Sequence, residues 1–301
     1  MTHFRTAGFA LALVVALSAC DASIESPETD AAADLTAEEV ADATAIVAEA
    51  VAADGGGLIA SAQDITAAVS ASGISSDRGP VRHGNRDLRP PCRGDVSVTY
   101  DEETGTHQVG YRCGFQNANV TKGYQVRLNY RYRDADGGFI ARPWNDWDSV
   151  DSVAFGGSRE GLVRKMRGDS LRSETRFEQD GRWALSQLSD DATPAILAGR
   201  QSRTGSHLRA RADRQLSRTY SVELGSERIE IRESEDGLTH AASGEVAYVL
   251  TMEVLRNGTT TTRTVEGTVT LEGNGRALLR VFGLRNVYRV SLADGETDAA
   301  S

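Results

Sequence analysis

The chain has 301 residues, a formal net charge of −10 and three cysteines. That length holds one large domain or two small ones. Its longest apolar run, residues 7–19, is shorter than the roughly 18 residues a spanning helix needs, and no Gly-x-Ser-x-Gly elbow, phosphate loop or dinucleotide fingerprint occurs.

Arg5 precedes this run, and Leu17, Ser18, Ala19 and Cys20 close it. A positive charge, a short apolar stretch and small residues make a secretion signal. The closing four residues resemble the lipobox of bacterial lipoproteins. The resemblance covers 20 residues only. It implies that residues 1–19 are a signal peptide and are removed. It also implies that Cys20 is lipidated on sulfur, becomes the N-terminus and is acylated again, palmitate being a suitable chain. The protein then belongs to the bacterial cell envelope, periplasmic or surface-exposed. Asp21 marks inner-membrane retention in some enterobacterial lipoproteins. Two or more acyl chains anchor a protein stably, so a membrane is the expected partner, reached through Cys20. The alternative is an ordinary signal that leaves Cys20 a free thiol.

The charge is uneven. Between Asp21 and Asp77 lie 12 acids and no Lys or Arg; from Arg78 onward there are 31 acids and 32 bases. The acidic front suits a spacer from an anionic membrane surface, or simple solubility. Only Lys122 and Lys165 are lysines, a bias to which no functional weight attaches.

Residues 20–34 read as an acidic tether and residues 35–75 as a helical segment. Thr36 and Glu39 form a capping box, which predicts a helix to about Ala53 with Val40, Ala43, Val47, Ala50 and Val51 on one weak apolar face. Asp54-Gly55-Gly56-Gly57 stops it. A second helix over 58–70 presents Leu58, Ala62, Ile65 and Val69. Both faces are small and are expected to pack on the later domain or on each other. Residues 76–94 are an arginine-rich linker without periodicity.

From 95 to 296 the pattern is that of strands. Val96, Val98 and Tyr100 alternate, Asp101–Gly105 turns, and His107, Val109, Tyr111 and Cys113 return. This hairpin brings Cys92 and Cys113 nearly opposite one another. With Cys20 set aside and secretion implied, these two are expected to form a disulfide. Val126, Leu128, Tyr130 and Tyr132 share one face of the next strand. Asp134–Gly138 turns it, and Asn145 stands where a calcium loop needs its twelfth-position Glu. Trp144 and Trp147, interleaved with acids, could stack on sugar rings or cover an end of the sheet.

Further strands are expected near 150–156, 161–167, 171–178 and 181–188, with a turn at Asp180-Gly181. An arginine row follows, with Arg209 and Arg211 on one face. It could contact an anionic envelope component; a solvated face is the favoured reading. Val246 to Val254 alternates, Asn257-Gly258 marks a hairpin, Gly273–Gly275 turns again, Val287 to Leu292 is the last strand, and 297–301 is a tail.

The expected fold is mainly β: an antiparallel meander, either a curved sheet or barrel-like, preceded by a short two-helix segment. A transmembrane barrel is the rival, opposed by the charged strands. His83, His107, His207 and His240 show no metal-ligand spacing, and no cofactor is expected. For function, a non-enzymatic binding or scaffolding lipoprotein is preferred, with an envelope protein or polysaccharide as partner and no nucleic acid. A carrier of lipid in a half-open barrel would need an empty apolar concavity. A glycan hydrolase would place the Trp144–Asp148 loop at its cleft, without a spacing that selects catalytic carboxylates.

Overall fold

The structure is a computed structural model that describes residues 35–69, 97–143, 147–168, 170–188, 194–211, 214–232, 242–256 and 259–300. Two helices come first, α1 (Ala37–Val51) and α2 (Leu58–Val69). Twelve strands follow: β1 (Ser97–Asp101), β2 (Thr106–Gln116), β3 (Val120–Arg133), β4 (Ser152–Arg167), β5 (Ser170–Ser186), β6 (Ala195–Arg211), β7 (Arg214–Ile231), β8 (Ala242–Arg256), β9 (Thr259–Glu272), β10 (Arg276–Val281), β11 (Val287–Ser291) and β12 (Thr297–Ala299). They form one antiparallel sheet in strict sequence order, and it is not closed. Of the two shapes expected, the open curved sheet is the one present.

The capping box forms as the sequence predicts. Thr36 Oγ1 accepts from the Glu39 N–H, and the Glu39 carboxylate accepts from the Thr36 N–H at 2.8 Å. Burial goes further than one apolar face. Ten of the 15 residues of α1 are buried, Glu39, Asp42 and Glu49 among them. The helix is surrounded by sheet.

Alternation along each strand sets which face meets the helices. Cross-strand register links Tyr111, Val126, Arg159, Gln179, Arg203, Val222 and Leu250 in one inner row. Val126, Leu128, Tyr130 and Tyr132 are 0–3 % exposed, and the alternating apolar residues from Val246 to Val254 are 0–2 % exposed. These inner residues and those of α1 and α2 form one apolar cluster. The helical segment is therefore the centre of the β-domain's core.

Three expectations need correction. Strands expected at 150–156 and 161–167 are one strand, β4, of 16 residues, and those at 171–178 and 181–188 are β5, of 17 residues. Asp180-Gly181 is not a turn; it pairs with Ser202 and Gln201 in mid-strand. Residues 297–299, expected as part of a tail, pair with β11 as the edge strand β12. Glycine misled the first two readings, because it marks sharp bends here as well as turns. Gly161, Gly205 and Gly267 fall on the inner face, where added Cβ atoms would strike the backbone of the neighbouring strand. Removing side chains there lets long strands curl over the helices. The two-residue hairpin at Asn257-Gly258 lies outside the described residues, but Arg256 pairs with Thr259 on either side of it.

These glycines can be tested against others on the opposite face. A Cβ at Gly267 would overlap Arg280 O and crowd the Tyr248 ring, whereas at Gly114 nothing lies within 4 Å. Gly267→Val is expected to destabilise by about 2 kcal/mol or more, and Gly114→Val by less than about 0.5 kcal/mol, measured by urea unfolding.

Candidate functional site

Among the described residues, Lys122, Arg159, Arg203 and Arg218 are buried on the inner face, and each answers the helical segment. The turn after α1 leaves carbonyls that the helix cannot satisfy. The sheet supplies the donors. Arg203, 1 % exposed, donates from Nη1 to Gly55 O at 2.9 Å and to Glu49 O at 3.3 Å. Its guanidinium lies 3.7 Å above the Phe177 ring. Arg159 Nη1 donates to Gly56 O at 2.8 Å, Gln201 Nε2 to Ala50 O at 3.2 Å, and the Tyr124 hydroxyl to Asp54 O at 2.6 Å. Gly55 and Gly57 make the turn tight, since a Cβ on either would strike the carbonyls of Glu49 or Ala50.

The acids of the helical segment are paired in the same way. Asp64 holds Arg159 at 2.5 Å and accepts from the Tyr111 hydroxyl. Asp54 holds Lys122 at 2.7 Å. Asp42 lies 3.2 Å from Arg218 and 3.5 Å from Arg209. Burial pushes the Asp42 carboxyl above its usual range, with Arg218 and Arg209 opposing. For Asp42, Glu49 and Asp64 the acidic front of the chain is thus internal charge matched to the sheet, while Asp54 pairs with Lys122 at the surface. Both lysines serve it, because Lys165 reaches Glu49 at 3.6 Å.

Glu49 anchors a second network. The Thr175 hydroxyl donates to Glu49 Oε2 at 2.6 Å and lies 2.9 Å from His207 Nδ1. A carboxylate only accepts, so the Thr175 proton goes to Glu49 and Nδ1–H of a neutral His207 donates to Thr175. Burial raises the Glu49 pKa, but His207, Lys165, Thr175 and Arg203 outweigh it and hold the group ionised below its ordinary value. Burial holds His207 below its ordinary value, against the pull of Glu49 and Asp42.

The outer face carries a groove of about 1090 Å³ across β1 to β8. Two outward rows form its floor. Asn129, Gly156, Arg182, Arg200, Gly225 and Ala247 lie in one. Arg127, Ser158, Asp180, Ser202, Glu223 and Val249 lie in the other. Gly156 and Gly225 leave the groove deep, because a Cβ on either would have nothing nearer than 3.9 Å. A smaller depression of about 840 Å³ lies elsewhere, lined by Asp134, Phe139, Asp148 and Asp151 among others.

Of the residues singled out from sequence, neither Cys113 nor Arg209 lines the groove. Cys20, Cys92 and Trp144 are outside the described residues, as are His83 and His240. Trp147 begins a short 3-10 turn, Trp147–Ser149, and its side chain is not described. The following Asp148 borders the smaller depression and not the groove. Arg209 lies on the helix-facing side of β6, 3.5 Å from Asp42, with its side chain 41 % exposed. Arg211 ends β6, and its side chain is not described. Asp134 caps its own turn, accepting from the Gly138 N–H at 2.7 Å. Cys113 is half-buried on β2 and is the one cysteine among the described residues. Sequence reading missed Arg182, Arg200 and the groove. The signal was present as glycines recurring through strand-like segments, but it reads as turns until register is known.

Fold and site together define a class: an open antiparallel meander wrapped around its own N-terminal helix pair, with a polar groove on the outside. No protein-family model, curated protein or solved structure matches the chain.

Acid should weaken the inner network. An unfolded chain protonates histidine near pH 6.5, whereas folded His207 resists the proton until lower pH. The unfolded state therefore binds more protons below about pH 6.5, and stability falls there. Glu49 adds to the loss at lower pH, because its folded pKa is depressed. The melting temperature is expected to drop between pH 7 and pH 5.5. His207→Gln should flatten that slope in part; His107, which burial also holds low, adds to the slope, and Asp42, whose carboxyl burial raises, opposes it.

Proposed function

We propose that this protein is a membrane-anchored envelope lipoprotein, lipidated at Cys20, whose β-domain is a non-enzymatic binding module for a polar envelope component. The observation that carries this reading is the division of labour between the two faces. The inner face is filled by α1 and α2, and the outer face holds the open polar groove. A lipid carrier would need that inner face empty, and here it is covered by helices and lined in part by arginines. The hydrolase reading needs the Trp144–Asp148 loop at a cleft, and Asp148 borders the smaller depression and not the groove.

The groove faces away from the element nearest the anchor. Between Cys20 and α1 lies the acidic tether, and α1 sits on the opposite side of the sheet. A polymer or partner in the envelope could therefore enter the groove while the lipid holds the other end of the chain. Localisation in the bacterial envelope and the membrane as partner follow from the lipobox resemblance.

Blocking the groove and removing the anchor should have separate effects. Cys20→Ser is expected to release the protein from the membrane fraction and leave binding to isolated envelope polymers unchanged. Gly156→Trp is expected to reduce that binding at least tenfold and leave fractionation unchanged. Retention of the Cys20→Ser protein with membranes would refute the anchor, and full binding by Gly156→Trp would refute the groove.

The pairing of Cys92 with Cys113 belongs to the same reading, because an envelope protein folds where disulfides persist. Peptide mapping without reductant should recover the two cysteines in one cross-linked peptide pair; two alkylatable thiols would overturn the assignment.

A further inference from the structure

The outer groove contains a charge arrangement that the fold does not require. Arg182 on β5 and Arg200 on β6 are direct cross-strand partners, both exposed. Like charges placed opposite one another destabilise a sheet. Elsewhere on the surface, arginines share an acid: Arg164 and Arg176 both hold Glu174, and Arg228 and Arg232 both hold Glu230. At Arg182 and Arg200 the flanking positions across the sheet are Gly156 and Gly225. These provide room and no counter-charge. Arg127 adds a third exposed guanidinium on β3. Three strand spacings separate β3 from β6, roughly 14 Å.

The neighbouring row, which Arg127 begins on β3, turns acidic on the later strands. Asp180, Ser202 and Glu223 lie side by side on β5, β6 and β7. Ionised carboxylates accept hydrogen bonds and donate none. A ligand that offered only anionic oxygens would satisfy the arginines and be repelled by Asp180 and Glu223. A ligand with carboxylates and hydroxyl groups in one chain would satisfy both rows.

We infer that the groove binds an acidic polysaccharide, its carboxylates on Arg182, Arg200 and Arg127 and its hydroxyls on Asp180, Ser202 and Glu223. This rests on the proposal that the groove is a binding surface and names the class of its ligand. The open floor at Gly156 and Gly225 lets sugar rings approach the sheet backbone closely, which a side chain there would prevent. Guanidinium groups suit carboxylates because the two planar forks match.

The test uses the full chain in detergent micelles and titration calorimetry at low and at physiological salt. The probes are polygalacturonate, neutral dextran, poly-glutamate and inorganic phosphate. Polygalacturonate is expected to bind at least tenfold more tightly than each of the others and to weaken with salt. Arg182→Gln and Arg200→Gln are each expected to weaken it about tenfold, with unchanged circular dichroism. Equal binding of poly-glutamate would make the groove a site for acidic peptides and overturn the inference. So would polygalacturonate binding that ignores both arginine variants, or no polygalacturonate binding at all. Gly156→Trp separates this failure from that of the parent reading. If dextran binds, Gly156→Trp abolishes it and the arginine variants do not, the groove stands and the acidic ligand falls. If Gly156→Trp alters no binding, including that of envelope polymers, both fall.

Discussion

The hydrogen bonds from Arg203 and Arg159 to the turn after α1 are the constraint on which the rest of the structure depends. A helix that ends inside a protein leaves carbonyls with no partner, and burial without donors is costly. Here the end of α1 and its glycine turn insert against the inner face, where Arg203, Arg159, Gln201 and Tyr124 meet Glu49, Ala50, Asp54, Gly55 and Gly56. Positive groups at a helix C-terminus also oppose its dipole favourably. The sheet needs the helices as much as they need it. Without them, Arg203 Nη1 and Arg159 would lose the carbonyls and the carboxylate they hold.

That mutual requirement explains the shape of the sheet. A flat sheet could not bring donors from β3 to β6 onto one helix end. Inner-facing glycines at Gly161, Gly205 and Gly267 remove the atoms that would prevent neighbouring strands from closing over the helices. The long central strands keep their ladders intact through the bends, with register shifts at Lys165/Met166, Leu197/Gly199 and Gly225/Ile229. Outward-facing glycines have a different effect. Gly156 and Gly225 lie over open space and deepen the groove. One residue type, on opposite faces, shapes the core on one side and the candidate binding surface on the other.

The charge imbalance along the chain has the same physical origin. An acidic stretch followed by a nearly neutral one invites a reading in terms of solvent or membrane. In the folded protein, Asp42, Glu49, Asp54 and Asp64 are matched to Arg218, Lys165, Lys122 and Arg159 across more than 60 residues of sequence in every case. Asp42, Glu49 and Asp64 are buried; buried pairs contribute little net stability against an apolar equivalent, yet losing one partner costs several kcal/mol. They act here as an address for the helix pair: each acid can be satisfied at one position on the inner face. The exposed arginines of the groove lack such partners, and this contrast marks them as available to a ligand.

Sequence by itself determined the local elements whose signals are local. The capping box at Thr36 and Glu39, the alternation from Val126 to Tyr132 and from Val246 to Val254, and the mainly β meander after a helix pair all follow from spacing and side-chain type. It did not determine the lengths of β4 and β5, because Asp180-Gly181 is a turn signal unless long-range pairing holds it extended. Nor did it reveal the groove, since Arg182 and Arg200 are 18 positions apart and become neighbours only through the register of β5 with β6. The surroundings of Arg209 were open for the same reason: alternation says which residues share a face, and only packing says which face meets the helices. What tertiary structure decided was the pairing of distant charges, and this is a property of register and curvature that no window of sequence contains.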